Sequence, residues 1–545
     1  MIADLPQWFI LSVVVVVALL YKARQSRLTS GKLPLPPSPP GYPIIGNFLD
    51  VPTRDMEPAF RDINAKYGEI VYLNACGQPM IVLGSHQAAI DLLEKRSSNY
   101  SDRLFSCVAS LSGWTWLFSV NSYGAQWRRT RRLFHEYMHP NAVVRYRPIQ
   151  EREAAKYLLR ILETPKDFLH HGRALFGTIT IRVGYGIEVD KEKGTDYLGI
   201  AEKAMETFSQ LFVPGKYLVE SFPIMRYLPY PLPGTQFKRD AADCYSIVRK
   251  MRDAPWEAAM TALREGRGLP SMANGLLDRM AHLDGEAAVE EEEFSKNAIA
   301  SAYAGGADTV RSDVIRCSSC MLTVRIHRQT LSTLQTFYIA MASYPEVQRR
   351  AQAELEAVVG PHRLPTFADK NDLPYVCALI KECLRWRPVV PLALVHLSIE
   401  EDEYKGFRIP ARSAVVANPW AYVRDPNLYP DPETFKPERF LKDGKLDPNV
   451  QDPTTIIFGY GRRICPGRYF AEGSVYAVVT RILHTMWAEA PRDARGEPIN
   501  LKDTIKMTHG VISYPMPFEC VIKPRSSEAE MLIRAACSED DADSI

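Results

Sequence analysis

The chain opens on an apolar stretch and then changes regime. Residues 8–21 form an unbroken weakly polar to apolar run with five valines, Val13 to Val17, at its centre. Extended to residues 5–23, the run reaches the lower end of the about 17–25 residues that a membrane helix needs. Asp4 precedes it, and Lys22, Arg24, Arg27 and Lys32 follow it, so the basic side is expected to stay in the cytosol. No basic region leads into the run and no small-residue cleavage site follows it, which argues against a cleaved signal peptide. An uncleaved anchor is expected over residues 1–23. Residues 24–43 then form a basic, proline-rich hinge. Its stretch Leu33-Pro-Leu-Pro-Pro-Ser-Pro-Pro-Gly41 favours a stiff polyproline spacer.

Farther on, the pattern predicts folded elements. Ile70-Val-Tyr-Leu73 and Met80-Ile-Val-Leu83 flank Gly77 and predict a β-hairpin within residues 67–85. Residues 104–120 are apolar and aromatic, with Trp114, Trp116 and Phe118, and suit either core or a cavity wall. Residues 211–234 combine prolines with Phe212, Tyr217, Phe222, Tyr227 and Tyr230, as in a segment that meets a membrane or gates a pocket. Four glutamates at 290–293 are expected just before a helix, where they suit the positive end of its dipole. That helix is predicted over residues 294–309, and another over residues 468–487. From about residue 526 the chain turns polar and acidic, which predicts a loose tail to residue 545. No Gly/Ser linker or internal repeat interrupts residues 44–525, so they are expected to form one large unit.

Composition removes some classes. Lys and Arg total 66 against 64 Asp and Glu, a formal charge of +2, which leaves no electrostatic case for nucleic-acid binding. The 10 cysteines show no paired framework, which suits a reducing compartment. Asn99-Tyr-Ser101 fits a glycosylation acceptor, but a cytosolic body would leave it unmodified.

The strongest chemical signal is Phe458-Gly-Tyr-Gly-Arg-Arg-Ile-Cys-Pro-Gly467. It places Cys465 at the predicted start of a helix, where the dipole and free N–H groups favour a thiolate. Gly459 and Gly461 allow the backbone to approach something flat and bulky, and Gly467 leaves room just past the sulfur. Such a thiolate is a nucleophile or a metal ligand. No Cys–His signature surrounds it, and a haem iron with Arg463 beside an acidic group of the macrocycle fits better.

This stretch resembles the F-x-x-G-x-R-x-C-x-G haem loop of the cytochrome P450 monooxygenases, matched at Phe458, Gly461, Arg463, Cys465 and Gly467. Other motifs follow the family's order. Trp127 and Arg131, four apart on one helix face, resemble its W-x-x-x-R helix and are expected at a haem propionate. Arg128 and Arg132, on another face, suit an acidic redox partner or plain solvent. Ala304-Gly-Gly-Ala-Asp-Thr309 resembles the oxygen-activation helix, with Asp308 and Thr309 as the proton-relay pair. Its two glycines cost roughly 1 kcal/mol each in a helix interior, which a closely approaching ligand would offset. Glu382, Arg385 and Arg439 resemble the E-x-x-R and P-E-R-F triad, a structural brace. Residues 389–395 are expected in the pocket, His396 at a propionate, and the turn at 508–513 near substrate.

The resemblance implies a mainly α fold with a smaller β-rich region and haem b, iron protoporphyrin IX, on Cys465. It implies insertion of one atom of O2 into a lipophilic small molecule, such as a terpenoid, steroid or polycyclic aromatic. Electrons would come from NADPH through NADPH–cytochrome P450 reductase. Resemblance to microsomal members of the family, with the expected anchor, implies the endoplasmic reticulum membrane, contact with lipid and a catalytic body in the cytosol. A haem-thiolate isomerase or dehydratase needs no reductase; retention of the Asp308–Thr309 pair argues against it.

One departure stands out. The second threonine expected after Thr309 arrives only at Thr330. The intervening residues 310–329 contain Arg311, Asp313, Arg316, Arg325, His327 and Arg328, charges that do not belong beside a buried haem. Valine codons begin GT and one glutamine codon is CAG, so Val310 and Gln329 match the two ends of an intron. Leu322-Thr323 can be encoded through a CTGAC branch sequence. The segment is therefore expected to be a retained intron, with an inactive haem-binding product as the consequence if it stays. Cys317, Cys320 and His327 alone make an incomplete zinc set.

Overall fold

In the computed structural model, the described residues are 33–104, 106–189, 195–212, 216–220, 222–306, 329–508 and 510–542. The expected anchor, the hinge up to residue 32 and nearly all of the inserted segment lie outside them. Among the described residues no helix is long and apolar enough to cross a membrane.

The body is mainly helical. Its principal helices are α1 (Met56–Tyr67), α2 (Ala125–Met138), α3 (Arg147–Glu163), α4 (Phe168–Tyr185), α5 (Tyr197–Leu211), α6 (Gln236–Arg264) and α7 (Met272–Met280). They continue as α8 (Gly285–Gly306), α9 (Gln329–Ser343), α10 (Pro345–Val358), α11 (Pro374–Trp386), α12 (Arg468–Thr485) and α13 (Ser527–Ala542). A four-stranded sheet holds β1 (Ile70–Ala75), β2 (Gln78–Leu83), β3 (His396–Leu397) and β4 (Ala414–Ala417) in the order β1-β2-β4-β3. The predicted hairpin forms with Ala75 opposite Gln78, and Cys76 and Gly77 both take positive φ in its turn. Two positive φ values match the turn that best follows strand twist. Met80 of β2 pairs in parallel with Ala414, and His396 pairs antiparallel with Val415. The sheet thereby carries His396 and the segment before it to the edge of the helical core.

The long core helices differ in why they are helices. α4 is buried along most of its length, and its glycines permit close approach. A Cβ on Gly184 would stand 3.2 Å from Ile299 of α8, and one on Gly172 would stand 2.8 Å from Leu331 of α9. Helix α4 thus lies along both α8 and α9. The glutamates at 290–293 fall inside α8 rather than ahead of it. Their charge is met by side chains rather than by a helix end. Arg129 of α2 binds Glu290 and Glu291, Arg279 of α7 binds Glu291, the Trp256 indole of α6 donates to Glu292, and Arg252 binds Glu293. The acidic run clamps α8 to three neighbours.

The tail is also corrected. Residues 527–542 form α13, which packs on α3 and α12, with Ile533 1% and Cys537 8% exposed. Those two positions are four apart and make one apolar face that the surrounding charge conceals.

Behind the core, Arg385 and Glu382 are both fully buried. Arg385 Nε lies 2.7 Å from Glu382 Oε2, and its Nη2 2.9 Å from Oε1. Arg439 Nε adds a bond of 3.1 Å and the Lys436 N–H one of 2.8 Å to that same Oε1. Glu382→Ala would leave two guanidiniums facing a buried gap. It is expected to destabilise the chain by about 3–5 kcal/mol, read as a lowered urea midpoint at unchanged slope.

Candidate active site

Cys465 sits where a tight loop becomes α12. Its N–H donates to the Phe458 carbonyl at 2.7 Å and closes the loop. Gly461, at φ 54°, admits no side chain, because a Cβ there would collide with the Leu93 carbonyl. Gly467 has open space where a Cβ would stand. Burial pushes the Cys465 thiol above its usual pKa, while the Gly467 N–H and the Arg131 and Arg468 guanidiniums act the other way. A bound metal ion would settle that contest in favour of the thiolate.

The cysteine lines a large cavity that contains about 2120 Å³ of space free of atoms, its mouth included. Trp127, Arg131, His396, Phe458, Arg463, Cys465 and Gly467, all expected site residues, meet in its wall. Glu382, Arg385 and Arg439 do not line it and stay behind the core. Asp308 and Thr309 lie outside the described residues. The glycines before them differ. A Cβ on Gly305 would meet nothing, whereas one on Gly306 would collide with the Thr180 hydroxyl of α4. A second hollow, at Asn64, Gly84 and Asn418, brings together none of the expected residues.

The polar wall is cationic. Arg463 gives Nε to the Ser101 carbonyl at 2.7 Å, Nη1 to Phe118 at 3.3 Å and Nη2 to Asn121 at 2.7 Å. Arg131 Nη2 donates to the Ile464 carbonyl at 2.6 Å. Arg103, which no motif singled out, donates to the Leu394 and Val395 carbonyls at 2.7 and 2.6 Å and to Ser119 at 3.2 Å. Burial lowers these guanidiniums to about 10, 10 and 9 for Arg463, Arg131 and Arg103, so all three stay charged at neutral pH. Among the described residues none of the three forms an ion pair, and the Asp102 carboxylate acts on Arg103 and Arg463 without bonding either.

His396 Nδ1 is 2.6 Å from the Tyr100 carbonyl, so Nδ1 carries a proton. Burial, with Arg103 and Arg463 adding to it, holds the ring well below the usual histidine pKa and therefore neutral. Nε2 is then an acceptor. An anion beside Nε2 would reverse that preference and make the expected propionate contact available.

Haem can be tested against this wall. The Trp127 indole N–H is buried and has no partner. Buried Arg103 and half-buried Arg131 and Arg463, none of them in an ion pair among the described residues, and one orphaned donor suit a ligand with two carboxylates. The open faces at Gly467 and Gly305 suit a flat body between α12 and α8. The residues present fit the group.

Comparison with known proteins agrees with this geometry. The family model described as Cytochrome P450 matches residues 36–512. The chain is 39% identical to cytochrome P450 monooxygenase COX1 of Coprinopsis cinerea over 93% of this chain and 95% of that protein. It is 37% identical to cytochrome P450 monooxygenase 208 of Postia placenta, over 96% of each. It is 35% identical to tryptamine 4-monooxygenase of Psilocybe cyanescens, over 93% of this chain and 96% of that one.

Proposed function

The chain belongs to the cytochrome P450 family, and from that premise we propose that it oxygenates a neutral, lipophilic small molecule. The observation that carries this reading is the cavity itself, with Cys465 at its floor and a largely apolar wall above. Phe118, Met205, Phe208, Val390, Leu394 and Ile512 belong to that wall. The relative named for tryptamine handles an amine. Here the only carboxylate among the described lining residues is Glu472, on α12 seven residues past Cys465. An ammonium group would therefore find no described counter-ion above the floor, which favours terpenoids, steroids or polycyclic aromatics.

Haem b on Cys465 would supply dioxygen activation and transfer of one oxygen atom to a C–H bond or a double bond. The protein supplies the rest. Trp127, Arg131, Arg463 and Arg103, with His396, would hold the two acid side chains. Asp308 and Thr309 would move protons to the oxygen side. The apolar wall excludes water and orients substrate. The competent form in this reading lacks residues 310–329.

Electrons would come from NADPH–cytochrome P450 reductase. Arg128, Arg132 and Arg462 are exposed, and among the described residues none of them forms an ion pair, which suits an acidic docking partner. A single-pass anchor at residues 1–23 would place the body on the cytosolic face of the endoplasmic reticulum. Ile224 and Tyr227, 73% and 74% exposed, and the nearby Phe222 and Leu232 would rest against the lipid.

The test is incubation with NADPH, reductase and a panel of neutral terpenoids, steroids and polycyclic aromatics. A product one oxygen heavier, formed only with both NADPH and reductase, is expected. Conversion independent of reductase would point instead to isomerisation or dehydration.

A further inference from the structure

Trp127 presents a puzzle of orientation. Its indole N–H faces no acceptor, so no hydrogen bond fixes the rotation of the ring. Two ring contacts fix it instead. The Arg463 guanidinium lies 4.4 Å from its centroid, and the Tyr123 ring lies 5.2 Å away at 47°. Tyr123 is itself held on every side. Its N–H donates to Asp102 at 2.8 Å, and the Asp102 carbonyl accepts from the Leu397 N–H at 2.9 Å, next to His396. Its hydroxyl accepts from Arg462 of the Cys465 loop at 2.7 Å. The Arg128 and Arg462 guanidiniums stand 5.5 and 5.3 Å from its ring centroid. Two like charges beside one ring are offset by the negative face of its π system.

We propose that Tyr123 is a positioning residue for the haem site: its ring aims the Trp127 N–H into the cavity, and its hydroxyl ties the Cys465 loop to the residues entering α2. This rests on the haem reading given above. Two wall segments meet at this one half-buried side chain, the start of α2 and the Cys465 loop, and the Tyr123 backbone N–H links them through Asp102 to Leu397, beside His396. The loop already meets α2 directly, through Arg131 on the Ile464 carbonyl and Arg463 over the Trp127 ring, and Tyr123 adds to these a polar tie through Arg462 and an aromatic contact to Trp127.

Tyr123→Leu removes both contacts, and Tyr123→Phe removes only the hydroxyl. Two readouts apply to the full chain. Hydrogen–deuterium exchange over residues 458–467 needs no haem, and is expected to speed up several-fold in both variants. Haem release, followed by transfer to an apo-globin acceptor, is expected to be about ten-fold faster in Tyr123→Leu. In Tyr123→Phe, where the ring still aims the indole, it should stay near the parent rate. Ile533→Ala, on α13 away from the cavity, controls for general loosening at a comparable loss of melting temperature.

Unchanged exchange and unchanged release in Tyr123→Leu overturn the proposal. So does release in Ile533→Ala as fast as in Tyr123→Leu. If the parent chain takes up no haem at all, the functional reading fails, and the exchange experiment still decides whether Tyr123 ties the loop.

Discussion

Cys465→Ser is expected to leave haem in the cavity and to abolish both the red-shifted carbon-monoxide band of thiolate-ligated haem and all oxygenase turnover. The substitution is nearly isosteric. The bond that closes the loop runs from the residue 465 backbone N–H to the Phe458 carbonyl and does not involve the sulfur. In the proposed site Trp127, Arg131, Arg463 and Arg103 would hold the acid side chains, and the change leaves them alone. What is lost is the thiolate. A serine hydroxyl is far less acidic than a thiol, and the Gly467 N–H and nearby guanidiniums that help the sulfur ionise would not suffice for it. A thiolate pushes electron density that favours O–O cleavage, and an alcohol does not. The two halves of the expectation are read separately, haem content by pyridine haemochrome and ligation by the reduced carbon-monoxide spectrum. Turnover within about ten-fold of the parent, a barrier change of only about 1.4 kcal/mol, would remove Cys465 from the chemistry.

The parts of this site that are legible in the sequence are those built by consecutive residues. A ligand presented from a loop into a helix needs its glycines, arginine and cysteine at fixed short spacing, and a hairpin needs its turn between two apolar runs. Glu382 and Arg385 are one helical turn apart for the same reason. The parts that were not legible depend on distant segments. Arg103 reaches the cavity because its donors bind carbonyls at 394 and 395. Tyr123 matters because Arg462 arrives beside it. No local pattern marks either. The glutamates at 290–293 carry a pattern that fits two physical roles, helix-end charge and interhelical ion pairs, and only the packing of α2, α6 and α7 separates them. The last helix was hidden for a related reason: a two-residue apolar face is too narrow to register against a run of acids.

Deleting residues 310–329 is expected to raise oxygenase turnover by about 10²–10⁴-fold, the usual contribution of a positioned proton donor. The argument comes from α4. Its Gly184 touches Ile299 of α8 and its Gly172 touches Leu331 of α9. The two glycines are twelve positions apart, or about 18 Å along a helix rising 1.5 Å per residue. Ile299 and Leu331 are thirty-two positions apart in the chain, and become twelve apart once residues 310–329 are removed. The order of the contacts is antiparallel, as one unbroken helix lying along α4 requires. Helices α8 and α9 therefore already rest on α4 at the spacing of a single helix, and the intervening residues add chain length without adding distance. Joining Thr309 to Thr330 would place the Asp308–Thr309 pair one turn past Gly305, where α8 is open to the cavity. Parallel expression of both forms, with haem content, the reduced carbon-monoxide spectrum and NADPH-dependent turnover measured on each, checks the prediction. Equal turnover in the two forms would show that the segment is tolerated. Sequencing of the transcript supplies the independent arm: a spliced message lacking those codons is expected, and its absence would remove the retained-intron origin while leaving the spacing along α4 to be explained by an insertion.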